Sequence, residues 1–410
     1  MNLHPTPPFV AARALPASAP GAARLAFRLL GHLRHGSLLV QLPDGKVLRF
    51  GSEADPALRA QLRLHDWDAC AATLRSGDIG FAESFIAGHW STPDLSTLIE
   101  LFLRNRESID ALIHGRWWGS LWHRLQHRMH RNSRRGSRSN VHAHYDLGNP
   151  FYRLWLDPTM NYSSAWFEGN RSQDLAQAQT AKVRRALREC GVVPGQRVLE
   201  IGCGWGALAD CATREFGARL TGVTLSSEQL AWAQSRLADA RPGSAELRFQ
   251  DYRDIRDEPF DAVVSIEMFE AVGREYWPDY FNALRRLLAP AGTACIQTIT
   301  IRDDLFERYA RSTDFIQRYI FPGGLLPSRQ QFHAAAARAG LVVVNEAEFG
   351  ADYAETLRRW REAFLSADPA VRGLGFDTRF MRIWEFYLAY SEAAFRAGST
   401  GVWQFTLRHV

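Results

Sequence analysis

From residue 174 onward, helical and strand periodicities alternate along the chain. Residues 174–190 repeat apolar positions every three to four residues, and RVLEI (197–201) is the short apolar run of a buried strand. Helical patterns over 206–216 and 226–240 are interleaved with strand patterns. These are ARLTGV (218–223), ELRFQ (246–250), FDAVVSIE (260–267) and TACIQTI (293–299). The alternation predicts an α/β fold, a doubly wound and mostly parallel sheet. Upstream the pattern differs. Residues 37–50 read as a β-hairpin turning at Asp44-Gly45, followed by helical patterns over 57–75, 80–88 and 93–105. The expected division is a small N-terminal α+β unit over 1–110, a basic helical linker over 111–140, and one continuous domain over 141–410. Pro5, Pro7, Pro8, Pro16 and Pro20 mark residues 1–20 as a loose tail and do not suit the apolar helix of a signal peptide.

Charge changes this picture in one place. Residues 111–145 hold no Asp or Glu but seven arginines: Arg116, Arg124, Arg128, Arg131, Arg134, Arg135 and Arg138. Trp118, Leu121, Trp122, Leu125 and Met129 recur at helical spacing, so one face is apolar and another basic. An interfacial helix on an anionic bilayer and a solvated linker helix both fit. NSRRGSRSN (132–140) reads as a hinge. The net charge of +5 and a pI near 9.1 admit an anionic partner without choosing one. No run approaches the roughly 18 apolar residues of a spanning helix, so the chain is expected to be soluble or to lie on a membrane surface. Cys70, Cys190, Cys203, Cys211 and Cys295 form no CxxC pair and no zinc spacing, which suggests a reduced cytoplasmic setting and no metal.

The sharpest local signal is VLEIGCGWG (198–206), a buried strand running into Gly202, Gly204 and Gly206 and at once into a helix. Such glycines let a ligand lie against bare backbone beside a helix N-terminus. A dinucleotide site shares that geometry, but the spacing is GxGxG rather than GxGxxG. Pro194-Gly195 before the strand, Glu200 near its end, and Asp251-Tyr252 after the third strand fit an S-adenosylmethionine site.

Further segments extend the pattern in order. They are HYDLGNPFY (144–152), LDPTMNYSSAWF (156–167), GVTLSSEQ (222–229), QDYRD (250–254), EMFEAVG (267–273), RYIFPGGLLPS (318–328), FGADY (349–353) and FYLAYSEAAFR (386–396). Together they closely resemble the cyclopropane-fatty-acyl-phospholipid synthase family, which includes the mycolic acid cyclopropane synthases. The resemblance covers 141–410, and GDIGFAESFIAGHW (77–90) resembles the extra domain of the bacterial phospholipid enzymes. It implies a class I methyltransferase fold that transfers a methyl group from S-adenosylmethionine to a cis double bond of a membrane phospholipid acyl chain. A proton then leaves the new methyl and a cyclopropane ring closes. It also implies a cytoplasmic protein, peripheral on the inner face of the membrane, with an anionic surface as partner, no nucleic acid, and a homodimer left open.

By the resemblance, Tyr162, Ser163, Gly202, Gly204, Thr224, Gln229, Asp251 and Tyr252 surround the cofactor. Thr224 and Gln229 would hold the ribose, although Thr224 alone could equally cap the next helix. A bound bicarbonate takes the proton in known members, and its five ligands fall here on Ser164, Glu270, Gln297, Ile299 and Tyr387. The sequence departs at two of them. Ser164 replaces a Cys, and Gln297 replaces a His with an amide that cannot carry charge. Ala271 also replaces a His. The departures leave other outcomes open: a methyl- or methylene-branched chain without ring closure, or a non-catalytic lipid-binding protein. A nucleic-acid methyltransferase is suggested only by Asn149-Pro150-Phe151-Tyr152 and the arginine run, and this NPPY-like motif does not follow the fourth strand.

Overall fold

The structure, a computed structural model, describes residues 15–52, 55–108 and 147–410. The expected basic linker over 111–140, its hinge and most of the expected tail lie outside the described residues. Two compact units divide the rest. One takes the described residues up to 108 together with Phe376–Ala397; the other takes residues 147–375 with Gly398–Val410. The continuous domain expected over 141–410 is therefore interrupted by one helix, Thr378–Arg396. Its attachment to the first unit has a clear cause. Ser96 Oγ donates to buried Glu392 Oε2 at 2.7 Å, and Arg396 Nε pairs with buried Glu100 Oε2 at 2.8 Å.

In the first unit β1 (Ser37–Gln41) and β2 (Val47–Gly51) form the expected hairpin, with Gly45 at positive φ in the turn. The helix expected over 57–75 is not continuous. Residues Arg59–Leu64 form β3, which lies parallel to β1, and β4 (Trp90–Ser91) completes a four-stranded sheet in the order β2-β1-β3-β4. Within RAQLRL the buried positions Ala60 and Leu64 lie four apart with half-buried Leu62 between them, a period of two that suits a strand. A helix follows from Asp68 to Ala87, broken by Gly77 in a non-helical conformation.

The second unit carries the predicted α/β sheet. Its strands are β5 (Arg197–Ile201), β6 (Arg219–Thr224), β7 (Ala245–Phe249), β8 (Phe260–Ile266), β9 (Leu288–Ile301), β10 (Leu341–Glu348) and β11 (Thr400–His409). Their order is β10-β11-β9-β8-β5-β6-β7, parallel from β9 to β7 and antiparallel at β11 and β10. Successive residues of β8 feed different cores: Val263 packs on one face and Ala262 and Val264 on the other, while Phe260, beyond a register shift before Ala262, joins the Val263 face. Both faces are covered, which is why these strands read as near-continuous apolar runs. After β5 the chain moves outward to β6 and β7, then returns to place β8 on the other side of β5. Strand order reverses there, and a ligand crevice is expected outside the carboxyl ends of β5 and β8.

Candidate active site

Two clusters occupy that switch point. The first follows β5. Gly202, Gly204 and Gly206 have φ of 86°, 48° and 83°, a region side chains rarely adopt. Their surroundings differ. A Cβ on Gly206 would meet Ala233 Cβ at 2.8 Å, so this glycine lets helix Ser227–Arg236 approach. A Cβ on Gly204 would meet nothing within 4 Å, so the bare backbone there faces open space. Helix Ala207–Arg214 starts directly after the loop. Trp205 Nε1 donates to Asn149 Oδ1 at 2.7 Å, while Asn149 Nδ2 reaches Glu228 Oε2 at 3.3 Å. Asn149 thus ties the loop to the helix beyond β6, a structural role for the first residue of the NPFY segment.

The polar residues expected around a cofactor stand at adjoining strand ends. Thr224, closing β6, donates from Oγ1 to Gln229 Oε1 at 3.2 Å and accepts from Ser226 N. The helix cap is Ser226, whose Oγ accepts from Gln229 N. Thr224 therefore does not cap the helix; it orients the Gln229 amide, whose NH2 has no partner among the described residues. Asp251 is buried, and both its oxygens accept from the Arg253 guanidinium at 2.9 and 2.6 Å. A carboxylate oxygen has a second lone pair, so a further donor can be accepted there. Tyr252 packs edge-on to Tyr280, and burial pushes its hydroxyl well above the usual range. Tyr162 sits among Tyr152, Trp155 and Trp360 with centroids 5.5 Å away. The open face over Gly204 suits a nucleoside lying against bare backbone, and Glu200 in β5 is buried with its Oε2 unpartnered. Burial raises the Glu200 carboxyl well above the carboxylate range, while the Lys182 charge opposes it.

The second cluster follows β8 and centres on a residue the sequence reading did not single out. Glu267 has φ of 50°, uncommon for a residue with a Cβ. Its carboxylate collects three donors. Oε1 accepts from Ser164 N at 2.8 Å and Gln297 Nε2 at 2.7 Å; Oε2 accepts from Tyr353 Oη at 2.6 Å. Gln297 is committed at both ends, because its Oε1 accepts from Gln404 Nε2 at 3.0 Å. Gln404 in turn accepts from Arg185 Nη1. Beside it, Glu270 Oε1 accepts from Ile299 N at 2.5 Å, whereas Oε2 is sealed from solvent and unpartnered. Burial and the Glu267 charge push the Glu270 carboxyl up to about 8. Burial also raises Glu267, against the Tyr353 hydroxyl and the Lys182 charge.

Four of the five residues expected around bicarbonate, Ser164, Glu270, Gln297 and Ile299, are thus brought together. Tyr387 belongs to the other unit, where it is buried with its ring edge-on to Trp384. The site does not fit bicarbonate in the expected way. The Ser164 N–H and the Gln297 amide already donate to Glu267, and the Ile299 N–H to Glu270. An anion here would meet repulsion from an ionised Glu267, and the donor left to it is the Glu270 carboxyl, which burial keeps protonated at neutral pH. Glu267 and Tyr353 both lie in motifs quoted above, EMFEAVG and FGADY, but neither motif reveals that the two meet. Among the described residues no cluster could hold a metal ion, and no helix is long and apolar enough to cross a membrane.

Comparison with known proteins places this geometry. The profile of the mycolic acid cyclopropane synthetase family matches residues 132–405. The chain is 41% identical over 402 residues to tuberculostearic acid methyltransferase UfaA1 of Mycobacterium tuberculosis, covering 95% of this chain and 91% of that one. It is 33% identical over 374 residues to the cyclopropane-fatty-acyl-phospholipid synthase of Escherichia coli K12, covering 89% and 94%. The crystal structure of mycolic acid cyclopropane synthase CmaA1 complexed with SAH and CTAB superposes with a TM-score of 0.61 at 34% identity. That match covers 66% of this chain and 97% of that one.

Proposed function

The chain belongs to the mycolic acid cyclopropane synthetase family of S-adenosylmethionine-dependent methyltransferases, and from that premise we propose the following activity. It methylates the cis double bond of an unsaturated fatty acyl chain in a membrane phospholipid and closes a cyclopropane ring. The observation that carries this reading is the pairing, on adjacent strands β5 and β8, of an open glycine face with a hydrogen-bonded carboxylate. Tyr162, Ser163, Gly202, Gly204, Thr224, Gln229, Asp251 and Tyr252 would hold S-adenosylmethionine. When bound, it supplies an electrophilic methyl on a sulfonium.

The chain's own residues then have separable tasks. The aromatic group of Tyr152, Trp155, Tyr162 and Trp360 keeps water from a site where positive charge develops. Glu267 accepts the proton lost from the methylated chain, a carboxylate doing in place what bicarbonate does elsewhere. Ser164 N, Gln297 Nε2 and Tyr353 Oη fix its orientation. Glu270, three residues on, shares the desolvated site, and the Glu267 charge helps to keep its proton on.

A second reading has its own support. UfaA1, by name a tuberculostearic acid methyltransferase, is 41% identical over almost the whole chain. A base fixed to the backbone removes whichever proton it faces, and loss from a chain carbon gives a branched unsaturated product. That product is isomeric with the ring, so mass alone does not decide. S-adenosylhomocysteine release with unsaturated phospholipid vesicles, with RNA as control, tests the activity. Proton NMR of the extracted lipid tests the product: cyclopropyl protons far upfield support ring closure, and methylated lipid with vinylic protons alone rejects it.

Recruitment to the membrane is assigned to the basic segment 116–138 and an anionic surface, at about 1 kcal/mol per arginine near the bilayer. Converting Arg128, Arg131, Arg134 and Arg135 to Gln should weaken vesicle co-sedimentation at low salt. Equal sedimentation would leave the segment a linker.

A further inference from the structure

Lys182 is fully buried on helix Leu175–Glu189, and neither the glycine loop nor the base cluster explains it. We propose that Lys182 is a positioning residue: it fixes Ser163 as a hydrogen-bond donor to the carboxylate end of S-adenosylmethionine. This rests on the cofactor reading above and assigns the polarity of one of its contacts.

The argument starts from donors and acceptors. Lys182 Nζ lies 2.5 Å from Ser163 Oγ and 3.5 Å from Asn161 Oδ1. An ammonium offers three N–H groups and no acceptor, so Ser163 Oγ must accept from it. The serine's own proton is thereby turned away from the lysine, and among the described residues no acceptor is found for it. One turn earlier on the same helix face, Gln179 Nε2 donates to the Ser163 carbonyl at 2.8 Å. Backbone and side chain of Ser163 are thus both gripped by one helix, and the only freedom left is a donated hydroxyl. The residue is itself buried, beside Tyr162 in the segment expected to border the cofactor.

Charge selects the ligand group. Among the described residues Lys182 forms no ion pair, yet Glu267, Asp157 and Glu200 all act on it from separate elements. They oppose a burial effect that brings its ammonium down to about 8, so it stays charged at pH 7. A sulfonium gains nothing from a cation. A carboxylate gains from the lysine's field and from the donated hydroxyl together. The methionine end of the cofactor carries that carboxylate, and so does S-adenosylhomocysteine. 5′-Methylthioadenosine keeps the nucleoside and sulfur but lacks the amino-acid end.

The two ligands make the test, read by calorimetry on the full chain. The parent should bind S-adenosylhomocysteine tighter than 5′-methylthioadenosine by well over tenfold. Lys182→Met and Ser163→Ala should each weaken S-adenosylhomocysteine by about tenfold, the scale of a charge-assisted hydrogen bond, and 5′-methylthioadenosine by less than about twofold. The double variant should lose little more than either single one, because both act through one contact. Lys182→Arg, also a donor only, should retain the discrimination. Equal weakening of both ligands in Lys182→Met would overturn the proposal and make the lysine merely structural. Should Lys182→Met not fold, Ser163→Ala decides alone: an unchanged ratio of the two affinities overturns it. A parent that binds neither ligand removes the cofactor reading, and this proposal with it.

Discussion

The glycine loop after β5 and the carboxylate cluster after β8 end neighbouring strands, yet they are built by opposite means. The loop is a local object: within five residues it sets its turns, its open face and the start of a helix. The cluster is assembled from afar. Glu267 draws on Ser164, Gln297 and Tyr353, which lie 103, 30 and 86 residues away. The loop works by leaving side chains out, the cluster by locking them in. The difference predicts where each breaks. The loop should fail in binding with its fold intact, and the cluster should fail in chemistry with binding intact.

The largest effect is expected at Gly204. A valine there would place its Cβ in open space, so packing is not violated, although φ of 48° costs a β-branched residue about 1–2 kcal/mol. Calorimetry should detect no S-adenosylhomocysteine binding, while the thermal transition stays cooperative. Unchanged affinity in the folded variant would place the cofactor elsewhere.

Next comes Glu267→Gln, which keeps the shape and removes the negative charge. Turnover should fall by about 10²–10⁴-fold, the usual contribution of a positioned base, with S-adenosylhomocysteine affinity within about twofold. In bicarbonate-free buffer the parent should keep its rate. A strong dependence on added bicarbonate would show that the anion, not Glu267, takes the proton.

How much of this was readable beforehand follows the same divide. Strand β5, the three glycines and the alternation of helices with strands announce themselves by local periodicity and spacing. So does the β1–β2 hairpin, through Asp44-Gly45. Strand β3 was hidden because RAQLRL is too short to separate a period of two from a helix. Thr378–Arg396 was assigned to the wrong unit because amphipathic spacing shows that a face is buried but not against what. Glu100 and Glu392, which hold it, are joined only in three dimensions. Glu267 escaped for a related reason. The resemblance marked the conventional glutamate, Glu270, and nothing in the chain shows that three distant donors converge three residues earlier. Lys182 carries no local signal, since nothing in the helical pattern distinguishes a buried lysine from a solvated one.

The pH profile sharpens the comparison further. Glu267 and Glu270 share a desolvated site, so they titrate as a pair, with Glu270 held up to about 8. Lys182 acts on Glu267, and the hydroxyls of Tyr280 and Tyr309 stand near Glu270. Because burial raises both carboxyls and a protonated carboxyl is no base, kcat/KM should rise with pH as the pair loses its protons, the later step being centred near pH 8. Cofactor affinity read at the glycine loop should not follow this curve. Tyr353→Phe removes one donor to Glu267 and should lower the plateau by about tenfold, the worth of a hydrogen bond to a charged group. It should also move the rise to higher pH, since the lost donor favours the ionised form. A flat profile in the parent would exclude a carboxylate base.

The smallest effect is expected at Ser164, where the family's cysteine is replaced. The structure separates its two polar groups. The backbone N–H donates to Glu267 Oε1, whereas the side-chain hydroxyl donates to the Ala165 carbonyl at 2.9 Å and takes no part in the cluster. Ser164→Ala should therefore change turnover by less than about twofold, since deleting one neutral hydrogen bond costs about 1 kcal/mol of stability and leaves the base untouched. Ser164→Cys should be equally quiet. That result would show the exchange between the two residue types to be neutral, because only the main chain was ever used. Ser164→Pro is the opposing control: it keeps a small residue but removes the N–H. If it folds, turnover should fall while S-adenosylhomocysteine still binds, in the manner of Glu267→Gln. A large loss in Ser164→Ala, with Glu267→Gln unaffected, would mean that the hydroxyl rather than the carboxylate meets the substrate.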